Sequence, residues 1–502
     1  MLGLIVSSVL AAVFSAIIMT YVALATPLGP WIEPVIVVAL LTCMRVALIK
    51  ESTHHVVYAT VAGGVAGIAG TAIAFSFPTL LFLDHKLFVS WLAQPSWFIA
   101  VVASLIILAG ICALALMLLV WTKLLKRQDL PFPVSKMAYT LLVQNSVRSG
   151  RLLLGGCISV FIFYGGKWLL WAKKVTWLDS VPLLIALGFV GGVDFLVPLT
   201  LGGILKFCGS FFAHMFAISL NDMVMSVAAG MVAYGALQAV LSVLTTKNDA
   251  RQLLDFFSHT TWAYRLILVP IMIIVMLFFR SFNFSLIAIL YTIICAALCS
   301  YQVMVIAGKI GMAFLGRFAT FVLLPGLILF RYSFVQAVLV TSFVELFSGI
   351  SADMMFGQHL AQQAKISHTK IYIAQIFGLI AASITIAFVV WVLAYAGELG
   401  SSSLPAQRAA MRALLIKGVG SFNSIFVVIG AVSAFIAHYF FRVNNMMILS
   451  GLLLPYEVII PLVAGSLLNF FMSKRKQYYP LFAGIFSMSS LWLVGKVILQ
   501  LL

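Results

Sequence analysis

The sequence predicts an all-α polytopic membrane protein of about 14–16 transmembrane helices, in two related halves with interrupted helices at a central cavity. Three observations carry that expectation. Hydrophobic residues make up 64% of the 502 and charged residues only 9%, where a water-soluble chain would carry roughly a quarter charged. Mean hydropathy is +1.17, and apolar runs of spanning length follow one another with almost no polar stretch long enough for a soluble domain. Finally, two proline-interrupted polar segments, 130-LPFPVSK-136 and 404-LPAQRAA-410, lie at similar depths in the two halves.

Taken in order, the apolar segments run near 2–25, 32–49, 56–83, 97–122, 151–171, 181–199, 200–219 and 222–246. The first has neither a basic start nor a small-residue cleavage site and reads as a retained span rather than a signal peptide. The polar connector 247-KNDARQLLDFFSHTTW-262 holds the densest charge mixture in the chain. After it come segments near 264–280, 283–306, 310–330, 333–360, 369–396, 404–420, 421–441, 446–472 and 480–500. The expected organisation is therefore an N-terminal transmembrane half at 1–246, the connector at 247–262 and a C-terminal transmembrane half at 263–502. Proline removes a backbone donor and disfavours helical geometry in the residue before it, so 130–136 and 404–410 end helices or begin half-helices. Within a bilayer such backbone is tolerated only against protein or a water-filled cavity.

Thirty Lys and Arg against 13 Asp and Glu give a formal charge of +17. Their clusters (Arg45 and Lys50; Lys123, Lys126 and Arg127; Lys474, Arg475 and Lys476) sit between apolar runs, as cytoplasmic loops that fix orientation do. No base-stacking or groove-reading motif accompanies them, so no nucleic-acid partner is expected. The six cysteines lack zinc or disulfide spacing. P-loop, Rossmann and GxSxG signatures are missing, which leaves no nucleotide-driven pump domain and no hydrolase elbow in this sequence. No cofactor and no metal site of its own are expected.

Charged residues deep in apolar runs cost from about 2.5 kcal/mol upward and mark functional positions by default. In 341-TSFVELFSGISADMMFGQHL-360, Glu345, Gly349, Asp353 and Gly357 recur every four residues. On a continuous helix the two acids share a broad face about 12 Å apart along the axis, and the glycines let another helix or a substrate backbone approach it. Glu345, the more deeply embedded, is the stronger proton-site candidate; Asp353 and Gln358 suit either a site or a helix end at the interface. In 51-ESTHHVVY-58, Glu51 and His55 share one face and His54 and Tyr58 the next, a pattern that suits a proton relay as well as an ordinary helix start. Asn221 and Asp222 serve equally as a helix cap or as substrate contacts. Lys136, with Ser135 and Tyr139 beside it, is a cation on a half-helix that either meets a substrate carboxylate or reaches to the interface.

Several segments together resemble the oligopeptide transporter (OPT) family, in its bacterial-type members related to the yellow-stripe-like metal-chelate transporters. The strongest is 353-DMMFGQHLAQQAKISHTKIYIAQIFGLIAA-382, an acidic residue, a polar run and then a Lys-x-x-x-x-Gln helix filled by Lys370 and Gln375. Downstream, 404-LPAQRAAMRALLIKG-418 is similar to a Leu-Pro-Ala-Pro-Gln segment, with Gln407 in place of the second proline, and 451-GLLLPYEVIIPLVAGSLLNFF-471 to a Gly-x-Tyr-Leu-Pro segment. Upstream, the helix led by Glu51 ends in a proline break, and 131-PFPVSKMAYTLL-142 resembles a Phe-Pro-x-Gly loop with Ser135 and Lys136 at the glycine.

The resemblance implies a secondary transporter in a bacterial inner membrane that imports small oligopeptides or peptide-like metal chelates with protons. Within it, Glu345, Asp353, Glu51 and His55 are expected to handle protons or a cationic group. Lys136, Ser135, Tyr139, Asn221, Asp222, Gln358, His54 and Tyr58 are expected to contact substrate. The partners are then the peptide or chelate, protons and membrane lipid, and a homodimer is left open. The competing reading is a flippase or exporter of a lipid-linked or anionic molecule. A membrane enzyme would need a cluster of acids or histidines with a substantial loop domain, and the loops are too short.

Overall fold

In the computed structural model the described residues are chiefly 2–25, 53–125, 132–143, 147–169, 181–215, 262–310, 315–401, 404–418, 424–440, 456–472 and 475–482. They are helical throughout, apart from turns and an isolated bridge between Leu399 and Leu404. The polar connector lies outside the described residues except for Trp262, which opens a helix. In chain order the helices are α1 (Leu2–Ala25), α2 (Thr53–Ser76), α3 (Thr79–Leu83), α4 (His85–Leu92), α5 (Pro95–Leu125), α6 (Pro133–Val143), α7 (Val147–Leu169), α8 (Val181–Gly191) and α9 (Val193–Met215). There follow α10 (Trp262–Ser281), α11 (Leu286–Ile310), α12 (Leu315–Phe330), α13 (Phe334–Gln363), α14 (His368–Tyr395), α15 (Gln407–Gly418), α16 (Ser424–Tyr439) and α17 (Tyr456–Phe471).

Among the described residues six stretches are long and apolar enough to cross a membrane: α1, α2 running on through α3, α5, α11, α13 and α14. Shorter apolar helices accompany them in α7, α9, α10, α12, α16 and α17. The protein is a multi-pass membrane protein.

The chain forms two compact units, and each is assembled from two separate stretches of the sequence. One consists of Met1–Tyr139 with Ala239–Val419, the other of Thr140–Gln238 with Gly420–Leu502. In the first unit α2 and α13 form the centre: 89% of the spanning window of the first and 83% of that of the second are buried, against 39% for α11. Helix α13 packs on α2, α5, α11 and α12, while α1 and α14 pack on α2. Small residues make this density attainable. The run 62-AGGVAGIAGTA-72 in α2 keeps side-chain bulk low, so neighbouring backbones come close, which is how helices associate when lipid tails leave no hydrophobic drive between them.

The ends of the central helices are chemically specified. Ser333 and Gln336 form a reciprocal capping box at the start of α13, and the Gln336 amide also donates to the carbonyls of Phe282 and Asn283 at 3.2 and 3.1 Å. At thirty residues α13 is about 45 Å long, more than the hydrocarbon core requires. Pro78 ends α2, and Asp84 caps α4 by accepting from the Leu87 amide at 3.0 Å.

In the second unit α17 packs on α8 and α9. The contact between α8 and α17 is backbone to backbone: Gly188 faces the Leu462 carbonyl and Gly465 faces the Ile185 carbonyl, so that a Cβ at either position would collide with main chain. The boundary expected near 199/200 falls instead at Gly192, where φ is +57°, a left-handed turn that glycine adopts without cost. Pro198 is accommodated inside α9.

Candidate functional site

Both proline-interrupted segments begin short helices, and they are built alike. Immediately before α6, Phe132 has φ +47° and its N–H donates to the carbonyl of Gly308, near the end of α11, at 2.9 Å. Immediately before α15, Ala406 has φ +43° and its N–H donates to the carbonyl of Leu24, near the end of α1, at 3.0 Å. In each case a Leu-Pro-X sequence puts X in a left-handed conformation and uses its amide to satisfy one of the last carbonyls of a membrane-length helix, groups that a helix cannot bond internally.

Helix α15 carries the charge of the site. Arg408 and Arg412, one turn apart, project from it toward the proline break after α2. Arg412 is 7% exposed, and its guanidinium pairs with the carboxylate of Glu345, which is 0% exposed in the middle of α13. The other Arg412 donors reach the carbonyl of Phe75 at 3.1 Å and that of Gly316 at 3.4 Å. Phe75 is next to last in α2, so the arginine supplies a donor where Pro78 has ended the helix. Arg408 stacks on the Phe75 ring, 4.6 Å from its centroid, and Lys417 caps the next break by donating to the Phe82 carbonyl at 2.9 Å. Gly316 is where the three charged groups converge. A Cβ there would lie 3.1 Å from Arg412 Nη2, 3.2 Å from Glu345 Oε1 and 3.5 Å from Arg408 Nη1. Glu345 Oε2 is buried and has no hydrogen-bond partner among the described residues.

A second polar stretch follows two turns along α13. Asp353 is 1% exposed and Gln358 0%. Gln358 Oε1 shares a hydrogen bond of 2.6 Å with His368 Nδ1 at the start of α14, while the Gln375 amide donates to the Met354 carbonyl at 3.4 Å. Gln358 Nε2 and Gln375 Oε1 have no hydrogen-bond partner among the described residues, which leaves a buried donor and a buried acceptor. The glycines of the four-residue repeat admit neighbours as the spacing implies: a Cβ at Gly349 would meet Ile68 at 3.0 Å and one at Gly357 would meet Val61 at 3.1 Å, both from α2. Ser135 is buried and donates to the Phe356 carbonyl at 3.0 Å, and Phe132 stacks on His359 with centroids 4.2 Å apart. The start of α6 thus docks on the far end of α13, as α15 docks on its middle.

The remaining expected residues are more dispersed. Lys136 is exposed and Tyr139 half-buried. His54 and His55 are exposed near the start of α2, with their rings 6.5 and 6.2 Å from that of the buried Tyr58. Glu51, Asn221 and Asp222 lie outside the described residues. Among the described residues the structure brings Glu345 to Arg412 and Arg408, and Gln358 to His368. Reading the sequence singled out neither arginine as a site residue. The signal present was two arginines four apart on a short helix bearing no acid.

With this geometry in place, comparison with known families matches one part of the chain. Residues 259–486 match the family model described as OPT oligopeptide transporter protein. No curated protein matches the chain. The OPT match includes Glu345, Asp353, Gln358, His368, Gln375, Arg408 and Arg412, and so contains both polar stretches of α13 and the helix that supplies the arginines. Ser135, Phe132 and α2 lie outside it. The family so matched is described as one of oligopeptide transporters, and the match spans just under half of the chain.

Proposed function

We propose that the protein is a proton-coupled secondary transporter of the OPT type that imports small oligopeptides or peptide-like metal chelates across a bacterial inner membrane. The observation that carries this reading is Glu345: a carboxylate wholly out of contact with solvent in a spanning helix, held on one oxygen by the guanidinium of a half-helix and open to protonation on the other. Ionisable groups are retained at such depth where they move ions or meet a substrate. In this reading Glu345 and Asp353 exchange protons. Gln358 and Gln375 offer one donor and one acceptor, as a peptide bond requires, and Lys136 with Ser135 and Tyr139 contacts substrate at the start of α6.

The test is uptake into proteoliposomes of a radiolabelled di- to hexapeptide pool and of iron and nickel chelates, with and without an inward proton gradient. Gradient-dependent accumulation of one class is the expected result. Neutralising both acids, Glu345→Gln with Asp353→Asn, is expected to abolish the response to the gradient. Intact proton-driven uptake in that double variant would remove the assignment. Binding of lipid-linked or anionic molecules without uptake of either class would favour a flippase or exporter.

A further inference from the structure

The Arg412 guanidinium is planar and forked, the geometry that matches a carboxylate with two parallel hydrogen bonds. In this structure it holds a carboxylate of its own chain. Arg408 lies beside it, half-buried, with its face on Phe75. Gly316, by lacking a side chain, leaves the ends of Arg412, Arg408 and Glu345 within 3.1–3.5 Å of one point. Two guanidinium groups therefore converge where one buried carboxylate sits, and that carboxylate has an oxygen with no hydrogen-bond partner among the described residues.

We infer that Arg412 and Arg408 form the binding site for a carboxylate of the transported molecule, and that Glu345 is its built-in stand-in. This inference rests on the transporter reading given above. The arriving carboxylate takes the place of Glu345 on the Arg412 fork. Glu345 cannot remain ionised beside a second carboxylate in a buried site once its guanidinium is engaged, because like charges held together raise the cost of ionisation. A proton leaves a hydronium ion or buffer acid on the aqueous side to which the site opens and forms an O–H bond on Glu345, the conjugate base staying in the water. One negative charge and one proton enter together, so the net charge of the cluster is unchanged. Among the described residues the charged groups facing Glu345 are Arg412 and Arg408 from α15, and the Ser76 hydroxyl of α2 lies near it while donating to the Ala72 carbonyl at 2.6 Å. One proton per carboxylate is the stoichiometry this exchange imposes.

The carboxylate has two sources, the C-terminus of a peptide or the acid groups of a metal chelate, and the test uses one probe of each. Full-length protein in detergent is titrated calorimetrically with trialanine, trialanine amide and iron(III) citrate, in two buffers of different ionisation enthalpy so that protons taken up are counted. Trialanine or iron(III) citrate is expected to bind with uptake of about one proton per carboxylate engaged, and trialanine amide at least about tenfold more weakly than trialanine if the peptide is the ligand, the loss expected of a charge-assisted hydrogen bond. Glu345→Gln removes the internal competitor while keeping its shape, so it is expected to bind the carboxylate probe about tenfold more tightly and without proton uptake. Arg412→Lys keeps the charge, loses the fork and is expected to bind weakly. Failure of both carboxylate probes to bind, equal binding of trialanine and its amide with no response to citrate, or unchanged proton uptake in Glu345→Gln would overturn the inference. Carboxylate binding with proton uptake, but without gradient-driven accumulation in proteoliposomes, would uphold the site and overturn the transporter reading.

Discussion

Glu345 and Arg412 divide structural from functional cost in a way that substitutions can separate. Removing only the guanidinium strands a carboxylate in the protein interior, so Arg412→Ala is expected to lose about 3–5 kcal/mol of stability. Replacing the pair together by apolar residues of similar size, Glu345→Leu with Arg412→Met, leaves no charge unpaired and is expected to melt close to the parent protein while losing uptake. Thermal melts in detergent beside uptake assays check both, and a double variant that transports normally would show the pair to be architectural. Of these two residues the sequence disclosed one. Glu345 stands out because an acid in an apolar run has no cheap explanation, whereas Arg412, 67 positions away, lies on a short helix of mixed polarity where a basic residue looks solvated. Its partner is set by tertiary packing, which no local pattern records. Asp353 and Gln358, which in the sequence suit either a site or a helix end at the interface, are both enclosed, 1% and 0% exposed.

At the scale of elements, the two Leu-Pro-X helix starts share one construction. Leu130 to Phe132 and Leu404 to Ala406 place a left-handed residue before a short helix, and each ties that residue to the end of α11 or α1. A left-handed conformation costs a non-glycine residue of order 1 kcal/mol. Ala406→Gly is therefore expected to stabilise the protein by up to about 1 kcal/mol, read as a raised melting temperature, with uptake unchanged; a lowered melting temperature would mean that the alanine methyl, 1% exposed, matters more than the backbone. The proline interruptions were legible because proline acts on the local backbone. The break at Gly192 was not, because a glycine within a uniformly apolar run carries no sign of whether its φ is negative or positive.

Across the whole molecule, the outward faces of the helices are apolar at helical spacing. On α14, Ile380, Ile384 and Phe388 are 47, 60 and 52% exposed at four-residue intervals, a stripe that suits acyl chains. An Ile384→Arg substitution, which an exposed position on a soluble protein would absorb, is expected to cost upward of about 2.5 kcal/mol here and to be read as loss of membrane-inserted protein on fractionation. The all-helical membrane class was plain from composition. The grouping of helices into units was not: Met1–Tyr139 assembles with Ala239–Val419, and apolar runs of similar composition do not announce which of them will touch. That grouping bears on how the protein is made. The carbonyl of Leu24 is made 382 positions ahead of its donor, the Ala406 amide, an interval of about 20–80 s at ribosomal rates of roughly 5–20 residues per second. Through that interval the Leu24 carbonyl of α1 lacks this donor, and chaperoning of the nascent helix has to last until the start of α15 is made.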